Sequence, residues 1–510
     1  MCFQLEAQTF AKDVAPIIFN KCTVCHRPGE IGPMSFTNYE EVKNWSNMIK
    51  YVTEIRYMPP WKADPNYSHF LEENYLTDEQ IELIGEWVDS GSPYGDASDE
   101  PPLPDFPDGS QLGEPDLILS MAEAHLHRGN NRDSYYYFVL PTGLTEDKYV
   151  KAIELRPGNP QIVHHCLFFE DLSGAARRED EKSPEYGFNG FGDFGIEQVL
   201  AYEQYPGYVP GTKPRYFPDG QGQIMHAGGD LVIQMHYAPW PVDATDRSVV
   251  NIFFADEEEE VDRQIKDHIM LPLPETIGEF FYIPANSTRT FHGIWSPTSK
   301  ISLMGVSPHM HYLGTGWEVY IEHADGSISN MIKIPEWDFN WQGDYYFDRV
   351  LVVEPGDRIH AIAGYDNTVN NPSNPSNPPI NVQWGEGTED EMYYLPIYYL
   401  DYRIGDENVV YTGPTSIEEI DKERPGLKVY PNPITKGEDV FIELNISHAA
   451  PYSIELHDSQ GRLIRRLREQ EFFRQGSHVL SVKTHALESQ QYFIKLIGND
   501  AVSSVSFIKI

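Results

Sequence analysis

Residues 301–312 read Ile-Ser-Leu-Met-Gly-Val-Ser-Pro-His-Met-His-Tyr. Ile301–Val306 is a short apolar run of the kind that forms a strand. Beyond it, His309 and His311 stand two residues apart, and in extended chain such positions point to one face. The same pattern recurs from about 117 to 412, in Leu231–His236, Glu318–Glu322 and Val350–Val353. Turn signals such as Ala324-Asp325-Gly326 and Glu354-Pro355-Gly356-Asp357 punctuate it. The spacing predicts antiparallel β-sandwiches. The stretch is too long for one and fits two in tandem, 117–275 and 276–412.

Composition agrees. The chain has 510 residues, 40% of them hydrophobic, with 39 Pro, 39 Gly and 31 Tyr. That favours several domains built from short strands and turns over long helices. Its 38 Lys and Arg stand against 78 Asp and Glu, net −40. So acidic a balance argues against nucleic acid or an anionic membrane as partner. No apolar run reaches the roughly 18 residues a membrane-spanning helix needs, so no transmembrane segment is expected. Met1–Gln8 is too short and too acidic for a full signal peptide and fits the tail of one.

Near the N-terminus, Cys22-Thr23-Val24-Cys25-His26 is the C-x-x-C-H pattern of c-type haem attachment. Two thiols can add to the haem vinyl groups, and the next imidazole reaches the iron from one face. At these residue frequencies the pattern is expected by chance about 0.001 times. The other readings are a thioredoxin-like cysteine pair or half a zinc site. No βαβ pattern surrounds the motif, and no second cysteine pair follows.

Ala11–Lys21, Glu40–Tyr51 and Thr77–Ser90 read as helices, the last opened by Thr77 with Gln80 three residues on. Helices in a small all-α domain, 1–96, around a haem resemble cytochrome c. That resemblance implies a methionine as second axial ligand. Met34, Met48 and Met58 are candidates. Met58-Pro59-Pro60-Trp61 is preferred, because two prolines hold a loop extended; a core methionine is the alternative. Residues 97–116, rich in Pro, Asp and Gly, read as an extended acidic linker.

Three histidine groups stand out in the middle of the chain: His164-His165, His236, and His309 with His311. Adjacent His164 and His165 diverge in a regular strand and can share a metal only where a bulge or a strand end bends the chain. Spacing alone leaves copper and zinc both open. A later stretch runs Gln383-Trp384-Gly385-Glu386-Gly387-Thr388-Glu389-Asp390-Glu391-Met392. A thioether beside two histidines favours Cu(I) over zinc.

With these motifs in order, residues 117–412 resemble the copper type II, ascorbate-dependent monooxygenases, the peptidylglycine α-hydroxylating and dopamine β-monooxygenase family. The matching parts are the His-His pair, Gln234-Met235-His236-Tyr237, the His-x-His strand, Tyr365-Asp366-Asn367, and Gly387-Thr388 through Met392. The resemblance implies that His164, His165 and His236 hold an electron-storing copper. His309, His311 and Met392 would hold the copper that binds dioxygen and hydroxylates substrate. The two coppers would face each other across a solvent cleft.

Departures limit the carry-over. Cys166 is alone in this region, whereas the animal enzymes are laced with disulfides. Ser307 stands where the peptide-specific enzyme has Arg, and Tyr394 and Pro396 where it has Asn and Tyr, so peptide amidation is not expected. The expected function is an exported monooxygenase acting on a small organic substrate with dioxygen. It would use two coppers and one haem c. Electrons would come from an external donor, with ascorbate or the tethered haem refilling the coppers, first at the His164, His165 and His236 site. The rivals are a haem and copper electron-transfer protein and a copper-binding surface protein.

The tail differs in kind. Residues 427–510 hold 10 Lys and Arg against 9 Asp and Glu, after a polar linker at 413–426. Apolar runs Ser453–Leu456 and Leu463–Leu467 flank the turn Asp458-Ser459-Gln460-Gly461-Arg462. These predict one more small β-sandwich. With Tyr430-Pro431-Asn432-Pro433 at its start, the segment resembles the C-terminal sorting domain of the type IX secretion system. That implies secretion to the surface of a Gram-negative bacterium by that machinery; an ordinary accessory sandwich is the alternative.

Overall fold

Ile301–Val306 forms a strand with every residue buried. In this computed structural model the described residues are 8–106, 109–189, 201–210, 213–256, 261–385 and 387–411. In the tail they are 426–430, 434, 439–446, 450–458, 462–474, 476–484, 487, 491–497 and 502–509. The expected linker 413–426 therefore lies outside them except for Gly426, as do Pro431–Pro433 and Ser459–Gly461. The chain divides into two units, 1–413 and 414–510. It is mostly β-sheet, with six short α-helices among the described residues.

Ile301–Val306 lies inside a four-stranded antiparallel sheet, between Leu395–Asp401 and Tyr345–Val353, with Lys266–Met270 at one edge. A second sheet orders Ser287–Trp295, Arg358–Asn367, Gly314–Glu322 and Ile328–Ile334. Gly314–Glu322 alternates, so Trp317, Val319 and Ile321 point inward to the shared core. Each such side chain contributes about 1.5–3 kcal/mol when fully buried.

The other sandwich packs a sheet of Phe188–Asn189, Ser134–Pro141, Asp230–Tyr237, Val163–Asp171 and Ala201–Tyr208 on one of Leu117–Ser120, Val249–Phe254, Lys148–Arg156, Gln221–Met225 and Arg263–Gln264. Its core includes Phe138, Leu231, Ile233, Met235 and Ile252. Arg263–Gln264 thus closes the first sandwich and Lys266–Met270 opens the second, earlier in the chain than the expected boundary at 275/276.

An all-α domain standing apart at the N-terminus is not what forms. Helices Ala15–Lys21, Tyr39–Asn44, Ser46–Glu54 and Asp78–Asp89 do share a core of Phe10, Val14, Ile18, Val42, Ile84 and Trp87. Thr77 and Gln80 make the expected capping box, while the expected Glu40–Tyr51 helix breaks at Trp45. Between these helices, however, Ala63 and Phe70 belong to the core of the second sandwich. Asp64 N–H donates to the Lys333 carbonyl at 2.8 Å, and Ser68 Oγ to the Met331 carbonyl at 2.6 Å. The acidic linker is docked as well: Gln111 N–H reaches Glu154 Oε1 at 2.8 Å, and Asn251 Nδ2 reaches the Gly109 carbonyl at 3.0 Å. Packing, more than tether length, holds the helices in place.

In the second unit a three-stranded sheet, Gly426–Tyr430, Val440–Ile446 and Gly476–Val482, accompanies a four-stranded one. The latter orders Leu463–Phe473, Ala450–Asp458, Gln491–Ile497 and Val502–Ile508. Ile442, Leu444, Ile454, Leu456, Ile494 and Leu496 fill the core.

Candidate metal and cofactor sites

His164 and His165 sit on Val163–Asp171, and His236 on the neighbouring Asp230–Tyr237. The ladder pairs Val163 with Tyr237 and then His165 with His236, so the register slips at His164. That is the bulge the adjacent pair requires, and it turns both rings to one side. The Nδ1 atoms of His164, His165 and His236 lie 3.2 Å from one another in all three pairings. A metal held at about 2.0 Å with tetrahedral angles would separate its nitrogen ligands by about 3.3 Å. His236 Nε2 faces Asp133 Oδ1 at 2.6 Å. The ring proton belongs there, and Nδ1 is left as a lone pair aimed at its two neighbours.

His309 and His311 follow Ile301–Val306. His309 exchanges backbone hydrogen bonds with Tyr394, at 2.8 and 3.1 Å. Met392 lies two residues before Tyr394 on that neighbouring segment. Between the histidines, Met310 is buried in the core, where Gly314 leaves room for its sulfur. Glu391 organises the junction. Its buried carboxyl accepts backbone N–H bonds from His311, from Met392 at 2.8 Å and from Leu313 at 2.9 Å. Burial nevertheless raises it to about 8. Gln342 Oε1 accepts from His309 Nδ1, which leaves Nε2 as the free nitrogen of that ring.

The two histidine groups do not face each other across open solvent, as the resemblance implied. The His165 and His309 ring centroids are 6.3 Å apart. Phe339 stacks on His164 at 5.8 Å and also touches His236, His309 and His311. Burial lowers His309 to about 4 against the Gln342 hydrogen bond, and burial and then neighbouring rings lower His311 to about 3 and His165 and His236 well below the ordinary value. Neutral imidazole is the ligating form. Asp133, Phe339 and Gln342 were not singled out from sequence.

At the N-terminus, the turn after Ala15–Lys21 stacks Cys22, Cys25 and His26, with His26 N–H bonded to the Cys22 carbonyl at 2.9 Å. His26 Nδ1 donates to the Met34 carbonyl at 3.1 Å and its ring stacks on Phe36, so Nε2 remains available. Both thiols are unpaired, and burial raises Cys22 to about 12 and Cys25 to about 11. All three border a cavity of about 390 Å³, as do Met34, Met48 and Met58. That volume falls in the range of cofactor pockets. The opposite wall comes from both sandwiches, including Lys213, Arg215, Trp341, Gln342 and Tyr346. The cavity thus meets the histidines through Gln342 at His309, a different contact from the one expected at the His164 group.

Residues 428–510 match the family described as the secretion system C-terminal sorting domain. The chain is accordingly exported, secreted or held at the cell surface, with the secretion machinery as a partner. No helix among the described residues is long and apolar enough to cross a membrane. No curated protein matches the chain. Among solved structures, a β-glucuronidase of Faecalibacterium prausnitzii aligns with TM-score 0.15 and 10% identity, over 45% of this chain and 37% of that one. Those of Ruminococcus gnavus and Dictyoglomus thermophilum give 0.13 and 0.12, at 11% and 13% identity, over 48% and 50% of this chain. The alignments cover 44% of each of those two proteins, so the chain spans less than half of these relatives. Likeness at these scores carries no argument about fold or function.

Proposed function

We propose that this exported chain is a copper-dependent monooxygenase that hydroxylates a C–H bond of a small organic substrate with dioxygen. Electrons would be supplied or relayed by a haem c held at Cys22, Cys25 and His26, with Met58 the preferred second ligand. The supporting observation is a buried arrangement of two ligand sets in contact. One is the convergent Nδ1 atoms of His164, His165 and His236, and the other is His309 and His311 with Met392, whose backbone shares Glu391 with that of His311. Bound there, copper would supply one-electron redox chemistry and an open position for dioxygen, and haem would supply single electrons.

The chain's own residues do the rest. Asp133 holds the proton of His236 on Nε2, and Gln342 holds that of His309 on Nδ1, so each ring presents one chosen nitrogen. Phe339 packs an apolar ring against both His164 and His311. Glu391 ties the backbone of His311 to that of Met392. Anaerobic reduction of the metal-loaded protein, then dioxygen with a panel of amines, peptides and phenols, tests the reading by product mass. Hydroxylated product matched to dioxygen uptake is expected. Dioxygen consumption without product across the panel would favour the second reading, electron transfer alone. That rival draws support from the closeness of His165 and His309, which leaves little room for substrate between them.

A further inference from the structure

We propose that Trp61, Lys213, Arg215, Trp341 and Tyr346 form a cradle for the carboxylates of the group attached at Cys22 and Cys25. The inference rests on the haem reading above and adds which residues receive the acidic edge of the macrocycle. Trp61 Nε1, Trp341 Nε1 and Tyr346 OH are buried without a hydrogen-bond partner, and all three residues line the one cavity. An indole N–H can only donate, so whatever satisfies it must bring acceptors. Leaving such a group orphaned in the interior is unfavourable, so an incoming acceptor is stabilised there.

Charge points the same way. The Arg215 guanidinium lies 4.7 Å from the centre of the Tyr346 ring. Among the described residues neither Arg215 nor Lys213 forms a salt bridge, in a chain whose net charge is −40. Two carboxyl groups also border the cavity. Asp344 is bound to Ser307 Oγ, and Glu72 is shifted upward by burial in spite of Arg215 and Lys213. Glu72 thus shares the two cations with any incoming carboxylate, while Asp344 is held by Ser307.

A haem carries two propionates, a pair of carboxylates on one edge, which matches two cations and three donors. The cradle residues come from the segment after Ala201–Tyr208, from the Trp341–Tyr346 stretch, and from the loop that carries Trp61 into the second sandwich. The cysteines come from the helical part. An attached group would therefore bind the helices to both sandwiches at once.

The test uses the full chain made with covalent haem, and spectroelectrochemical titration of its midpoint potential. Removing a cation or donor beside the iron's macrocycle favours the ferric form. Arg215→Leu and Lys213→Leu should therefore lower the potential, Tyr346→Phe should lower it less, and Arg215→Lys should keep it near that of the unmutated chain. Acid–acetone extraction should leave the haem attached in all four. Covalently loaded Arg215→Leu, Lys213→Leu and Tyr346→Phe chains with an unchanged potential would overturn the cradle and leave the haem reading standing. An unmutated chain with no covalent haem would overturn that reading and the cradle with it.

Discussion

The imidazole of His165, on the first sandwich, and that of His309, on the second, lie with ring centroids 6.3 Å apart and planes at 80°. Two neighbouring strands of one sheet and the segment after a strand of another thus bring five histidines together, with Phe339 as their shared wall. Metals placed there would sense each other's charge directly, since buried charges are poorly screened.

The first prediction concerns metal content. Two coppers should bind per chain, and His236→Ala should remove one. Asp133→Asn should weaken copper binding at the three-histidine site about 10–100-fold, because it removes the partner that fixes the His236 tautomer. Competition with a chelator of known affinity measures this. Unchanged affinity in Asp133→Asn would mean that the 2.6 Å contact does not set the ligand.

At the second site, Met392→Ile should abolish turnover while changing copper content less, since His309 and His311 remain. Glu391→Gln acts differently. It sets an amide N–H against a backbone N–H that the carboxyl now accepts. That should cost about 1–3 kcal/mol of stability in urea unfolding of the metal-free protein. A metal-free Met392→Ile chain should show no comparable loss.

Haem should survive acid–acetone extraction of the protein made with a c-type maturation system. Cys22→Ala or Cys25→Ala should weaken that attachment. Met58→Ala should abolish the weak absorption of a methionine–ferric bond; if the band persists, Met34 or Met48 is the ligand, since both border the same cavity.

Acid should loosen the contact between Arg263 and Asp406. Arg263 reaches Asp406 with two bonds, at 2.9 and 2.6 Å, and Ser302 Oγ adds a third at 2.6 Å. Burial pulls the Asp406 carboxyl up, but these donors outweigh it and the net shift is downward. A depressed folded pKa gives stability that is present above the unfolded value of about 3.9 and is lost as pH falls through the folded one. Asp406→Asn should therefore destabilise the chain at neutral pH by about 1–3 kcal/mol. The difference should shrink below pH 4 when urea midpoints are compared across pH.

Removing residues 427–510 should leave the first unit folded and its metals bound but retained in the periplasm. The tail has its own core and holds none of the proposed ligands. Surface delivery of the truncated chain would make the tail dispensable for export.

Much of the candidate site was legible because its chemistry is local. Cys22, Cys25 and His26 are close in sequence, and one turn of chain is enough to stack them. His309 and His311 share a face by the two-residue period of extended chain, and the demand for a bulge or strand end at His164 followed from the same rule, the structure supplying the register shift. Asp133, Gln342 and Phe339 were not legible. Each is an ordinary residue in its own segment and gains its role from a partner far along the chain, Asp133 from His236 and Gln342 from His309.

By itself the sequence determined the periods of the strands and the sorting tail and named the candidate metal-ligating residues, because side-chain alternation and short motifs depend on nearest neighbours. The tertiary structure alone decided that the helical segment packs on the sandwiches, with Ser68 bonded to Met331. It also decided that His165 meets His309, and that cations from one sandwich line the cavity of Cys22 and Cys25. The physical reason is that such contacts form only when whole apolar faces are buried together. That burial is non-directional and spread over many residues, so no single stretch of chain encodes it.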